Sequence, residues 1–105
     1  MAEVPTEIKS LLLNYITLLN RNNIPVEKAY LFGSYSKGKN KDFSDIDLAI
    51  VSNVFEGVRI KDRSKIRKIT LSVSSILEVL PFNPKDFTEE NPLVKEIIET
   101  GIRIA

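Results

Sequence analysis

Two neighbouring stretches of the sequence hold residues whose types and spacing suit chemistry on a phosphate. The first is Leu31-Phe32-Gly33-Ser34-Tyr35-Ser36-Lys37-Gly38, a short apolar run that ends in Gly-Ser and leads to further lysines at Lys39 and Lys41. Gly33 lets the backbone turn sharply and lets a ligand approach it closely. Ser34 stands where a following helix would begin, so that amide groups and a hydroxyl face one anion. Taken alone, Gly-Ser also reads as a strand-to-loop turn with a capping serine. Lys37, Lys39 and Lys41 suit contact with a polyphosphate and equally suit a solvated loop.

The second stretch is Ser44-Asp45-Ile46-Asp47-Leu48-Ala49-Ile50-Val51. Asp45 and Asp47 are two apart on an expected strand, so both side chains leave one face. Two carboxylates that close repel one another unless a cation lies between them, and hard oxygen ligands suit Mg²⁺. The pair also reads as a polar turn, but the apolar run that follows at once argues against full exposure. A phosphate cradle at the end of one strand and a carboxylate pair at the start of the next together set a nucleoside triphosphate beside its metal ions.

The elements that must carry these stretches follow from periodicity. Residues 5 to 22 predict an amphipathic helix, with Ile8, Leu11, Leu12, Tyr15, Ile16 and Leu19 at steps of three and four and Thr6 as a cap. Asn22 and Asn23 suit the left-handed turn that ends a helix, and Pro25 prevents its continuation. Residues 29 to 32 predict a buried strand, 34 to 39 a short helix, 39 to 44 a polar loop and 45 to 51 a second strand. Residues 60 to 73 predict a basic helix. Ile76 to Leu80 predict a third strand closed by Pro81, and Asn91-Pro92 opens a last helix stopped by Gly101. The expected fold is α/β, a small mixed β-sheet with packed helices, in a single domain over residues 1 to 105.

Composition narrows the class. With 105 residues and 43% hydrophobic content the chain has the makings of one compact domain. It has no cysteine, so thiolate metal sites and disulfides are excluded, and no histidine, so proton transfer would fall to a carboxylate, water or the acceptor itself. No apolar run approaches the roughly 20 residues of a membrane span, and a cytoplasmic, soluble protein is expected. A net charge of +1 gives no support to direct nucleic-acid binding.

The combination Gly33-Ser34-x-x-x-Gly38 with Ser44-Asp45-Ile46-Asp47-Leu48 resembles the signature of the nucleotidyltransferase superfamily that includes DNA polymerase β. The short length and the closing Asn91-Pro92-Leu93-Val94-Lys95-Glu96-Ile97-Ile98-Glu99-Thr100-Gly101 look most like its minimal nucleotidyltransferase branch. The resemblance implies transfer of AMP from ATP, with Asp45 and Asp47 holding two Mg²⁺ ions and Gly33, Ser34 and Lys37 holding the nucleotide's phosphates. It further implies a third carboxylate from a later strand, a position that only Glu78 matches, with Glu where Asp is commoner. Glu78 also reads as an edge-strand side chain facing water. The helical domain with which larger relatives grip an acceptor has no room here. In the minimal branch the implied partner is a HEPN-domain toxin, one of whose tyrosines this chain would adenylylate as antitoxin. Self-association through the first or last helix is a further expectation. The alternative is a module that neutralises its partner by occlusion, its nucleotide site a relic or a regulator. Transfer to a small molecule such as an antibiotic would need a substrate domain that the chain lacks.

Overall fold

The computed structural model describes residues 4 to 33 and 45 to 105. Ser34, Lys37, Gly38 and Ser44, the short helix expected over 34 to 39 and the loop over 39 to 44 lie outside the described residues.

Three helices and four strands follow in the order α1 (Thr6–Arg21), β1 (Lys28–Phe32), β2 (Ile46–Val51), α2 (Arg59–Val73), β3 (Leu77–Phe82), α3 (Pro92–Thr100) and β4 (Ile102–Arg103). The sheet is mixed, in the order β3-β2-β1-β4. β1 is antiparallel to β2 and to β4, whereas β2 and β3 are parallel, joined by the crossover through α2. The α/β expectation therefore holds.

Alternation along the strands divides the apolar residues between two faces. Ile46, Leu48 and Ile50 of β2, with Leu77 and Val79 of β3, pack with Leu12, Tyr15, Ile16 and Leu19 of α1 and Ile66 of α2. Ala49, Val51 and Phe82 face the other way and pack with Phe87 and with Val94 and Ile97 of α3. Two helices thus cover one face and a single short helix covers the other.

Sequence signals explain the ends of most elements. Asn91 caps α3, its side-chain oxygen accepting from the Leu93 amide at 2.9 Å, with Pro92 in the first turn. Asn23 adopts φ +64 after α1, as the Asn pair predicts. Gly101 follows α3 for a reason of space: a Cβ there would meet the carbonyl oxygens of Ile97 and Leu31.

Two expectations are corrected. Thr6 does not cap α1; Pro5 occupies the cap position and no side chain bonds there. Pro81 does not close β3, which continues to Phe82. Ile46 donates its amide to Ile76 O at 2.8 Å and Ser52 to Phe82 O at 3.0 Å, so even-numbered residues of β3 turn their backbone toward β2. Pro81 falls on the outward set of an edge strand, where a missing N–H breaks no ladder bond. Gly101 ends α3 as expected, and beyond it Ile102 and Arg103 add an unforeseen β4 beside β1.

The two helices on the same face are tied by one polar contact. Tyr15 is fully buried, and its hydroxyl lies 2.7 Å from Thr70 Oγ1, which itself donates to Ile66 O at 2.9 Å. Tyr15 is therefore the donor. Burial pushes its phenol up to about 12, so the neutral form is favoured by folding and that stability, present below pH 10, is lost as pH rises through about 12. Tyr15→Phe should cost about 1 kcal/mol, read as a lower denaturation midpoint at unchanged slope. The same substitution should remove the titration step near pH 12 from the alkaline absorbance curve.

Candidate active site

The antiparallel pairing of β1 with β2 brings the two chemically suited stretches to one end of the sheet. Phe32 is paired with Asp47, so Gly33, one residue beyond β1, lies against the Asp47 side chain. Gly33 has φ +73, and a Cβ on it would run into the Asp47 carboxylate. Glycine meets both demands at this point, whereas any side chain would strain the backbone and displace the Asp47 carboxylate.

On the other side of β2, the parallel register pairs Asp47 with Glu78. In such a register paired residues share a face. Asp47 and Glu78 lie on the face that α3 covers, and α3's apolar contacts sit on Ala49, Val51 and Phe82 further along. The face is thus divided into an apolar part under α3 and an acidic end. Asp45, exposed and just ahead of β2, is the third carboxylate there.

Electrostatics bind the three into one cluster. The Asp47 carboxyl is raised above its ordinary value, first by burial, then by the charge of Asp45 and then by that of Glu78. A divalent cation is the natural neutraliser of such an arrangement, and the hard oxygens of Asp45 and Asp47 fit Mg²⁺. Glu78 is placed differently from the other two. Its Oε2 accepts from Arg63 Nη2 at 3.2 Å, and both side chains are about half in solvent. Among the described residues no three acidic side chains converge closely enough to hold a metal ion together.

Another carboxylate is more deeply buried and plays no part in the cluster. Asp62 is 1% exposed, accepting from the amides of Glu56 at 2.8 Å and Gly57 at 2.9 Å, with Lys65 Nζ at 3.8 Å. It organises the turn into α2. Its depth was not legible from a helix whose apolar periodicity is weak. Arg63 was likewise missed as a partner of Glu78, because the contact joins α2 to the edge of the sheet across 15 positions.

A mixed sheet with a glycine and three carboxylates gathered at one end, and helices on both faces, is the architecture that the site defines. The polymerase beta nucleotidyltransferase family model matches residues 14 to 105, and the chain belongs to that family. No curated protein matches it in sequence. Its fold is similar to that of a protein from Sulfolobus solfataricus assigned to the nucleotidyltransferases, with TM-score 0.63 and 18% identity over 92% of this chain and 78% of that one. It is similar also to a toxin–antitoxin solved with AMP-PNP, with TM-score 0.61 and 26% identity over 88% of this chain and 71% of the other. A third similar structure is the toxin–antitoxin MntA–HpeT carrying two Asp-to-Glu substitutions, with TM-score 0.54, 25% identity and the same two coverages. Among the described residues no helix is long and apolar enough to cross a membrane.

Proposed function

We propose that the chain, as a single cytoplasmic domain, transfers AMP from ATP to a tyrosine hydroxyl of a HEPN-domain toxin and so acts as its antitoxin. The observation that carries the reading is the Asp47 carboxylate, held against Gly33 at the end of the sheet and raised by burial, Asp45 and Glu78. The likeness to a toxin–antitoxin solved with an ATP analogue supports both nucleotide and partner. The two aspartates replaced in the MntA–HpeT variant are spaced as Asp45 and Asp47 are.

In this reading Asp45 and Asp47 hold Mg²⁺, two ions when the site is loaded. The metal supplies charge neutralisation on the triphosphate and on the attacking oxygen. Gly33, Ser34 and Lys37 bind the outer phosphates at the acidic end of the divided face. The acceptor oxygen forms its bond to the α-phosphorus as the bond to the bridging oxygen breaks and pyrophosphate departs. The hydroxyl proton passes to Glu78 or, through it, to water, since the chain has no histidine. Glu78 must leave Arg63 to take this part.

That last requirement favours a second reading, in which the chain occludes its partner without transfer and Glu78 stays with Arg63. Label from α-labelled ATP with Mg²⁺, supplied to proteins of the source cell's lysate, separates the two. One labelled band that vanishes with the Asp45→Asn, Asp47→Asn variant is the expected result. No band, with partner binding intact in a pull-down, would replace the transferase by the occluding module.

A further inference from the structure

The charge of the chain is unevenly divided. Helix α2 carries six of the 15 Lys and Arg but only one of the 14 Asp and Glu, so it holds +5 against −4 over all other residues. Its single acid, Asp62, is buried, and Lys65 and Arg63 are the cations with ion pairs. Arg59, Lys61, Arg67 and Lys68 form no ion pair among the described residues.

One face of this helix lines an open groove of about 470 Å³ against the edge of β3. Along it run Ile60, Arg63, Arg67 and Leu71, which places guanidinium groups between two apolar ends. Ile60 is 82% exposed and Leu71 58%, more than any other large apolar side chains among the described residues. The floor is the outer edge of β3. Leu77 and Val79 turn their backbone groups outward by the parity that places Pro81 outward, and that edge pairs with no strand among the described residues. The groove reaches Glu78, in register with Asp47.

We propose that this groove docks an extended acidic segment of the protein acceptor, which adds a strand outside β3 and presents its hydroxyl residue at Glu78. Strand addition uses backbone groups for affinity and alternate side chains for selection. Acidic residues of the segment meet Arg63 and Arg67, and apolar residues on either side cover Ile60 and Leu71. As an acid reaches Arg63, it competes for the guanidinium and releases Glu78 toward the reacting hydroxyl. A second copy does not fit, because a twofold contact through this edge would set one +5 helix against another. A nucleic-acid backbone would leave the two apolar side chains and the strand edge without partners. Pro81 limits the pairing to the half of the edge that lies nearest the carboxylates.

The inference rests on the transferase reading only for the fate of the hydroxyl, so binding is measured without nucleotide or Mg²⁺. The probe is a short fluorescein-labelled peptide of alternating Val and Thr with Asp-Tyr-Asp at its centre, and its counterpart has Lys-Tyr-Lys. The full chain should bind the acidic peptide at least about tenfold more tightly, the gap narrowing with salt. Arg67→Glu and Leu71→Asp, both at exposed positions, should each weaken it by about fivefold to tenfold. A reversal on α1, Lys9→Glu, should leave it unchanged. Bound peptide should slow hydrogen exchange at the Leu77 and Val79 amides. Equal affinity for both peptides, or indifference to Arg67→Glu, overturns the proposal, and oligothymidylate binding in place of the peptide assigns the face to nucleic acid. Peptide binding without any labelled acceptor in lysate leaves the docking site standing and removes the transferase. Labelling undiminished by Arg67→Glu does the reverse.

Discussion

Asp45→Asn combined with Asp47→Asn should abolish Mg²⁺-dependent transfer while making the ligand-free protein more stable. The two effects have one origin. Folding places Asp47 where burial and two neighbouring carboxylates oppose its charge. Its folded value lies above its unfolded value, so the favourable contribution is complete below the unfolded pKa and disappears as pH rises through the folded one. Above the folded value the Asp47 carboxylate is ionised and the repulsion it feels is present. Asparagine removes that repulsion at nearly the same volume. The gain should be small, a rise in Tm of no more than a few degrees, because solvent screens a cluster whose other members are exposed. It should shrink as pH is lowered through the raised Asp47 value and vanish when wild-type Asp47 is protonated. Transfer should fall on the order of 10³-fold or more, about 4 kcal/mol, since the substitution removes the ligands of the charge-neutralising cation. Mg²⁺ should raise the Tm of the natural chain and leave that of the variant unmoved. A variant that transfers AMP normally, or one less stable than the natural chain at pH 7, would refute the assignment of these two residues.

The site was legible where it depends on local sequence and illegible where it depends on which strand lies at the edge. Gly33 and Asp47 are 14 positions apart, yet the antiparallel return of a short strand is enough to bring them together. Glu78 was legible as a carboxylate in an apolar run, but its ion pair with Arg63 was not, because nothing in Ile76-Leu77-Glu78-Val79-Leu80 says that the strand is at the edge. The same missing fact explains Pro81. Proline ends a strand whose N–H groups point to a partner, and it is harmless on a strand whose alternate N–H groups point outward. β4 was missed for a different reason. Two residues carry no periodicity, and its stability comes from pairing with β1 and from the bond of Ile104 N to Ala29 O at 2.8 Å. The Ile-x-Ile alternation after Gly101 was the available signal. Helix α2 was expected from position 60 in spite of weak amphipathicity, and its surplus of cations, ambiguous in the sequence, takes on meaning only beside an unpaired strand.

The contact between Gly33 and Asp47 allows the site to be tested without any activity. Gly33→Ala should destabilise the natural chain by about 3 kcal/mol, combining roughly 1 kcal/mol for a positive φ with about 2 kcal/mol for a methyl group driven into the Asp47 carboxylate. Relief requires the Asp47 side chain itself to turn, since the methyl would also lie 3.2 Å from its Cγ, while the 3.4 Å to its Cβ is ordinary contact. Removing the carboxylate removes the obstacle. In an Asp47→Ala background the cost of Gly33→Ala should therefore fall to the backbone strain alone, a coupling of about 2 kcal/mol in a double-mutant cycle. Denaturant midpoints of the four proteins measure it directly. A triphosphate analogue supplies the second arm: its affinity should drop with Gly33→Ala in both backgrounds, because the methyl group occupies backbone that the phosphates approach. Additive stabilities would mean that Gly33 and Asp47 do not touch. Unchanged nucleotide affinity would mean that the phosphates bind elsewhere, and the two outcomes are independent.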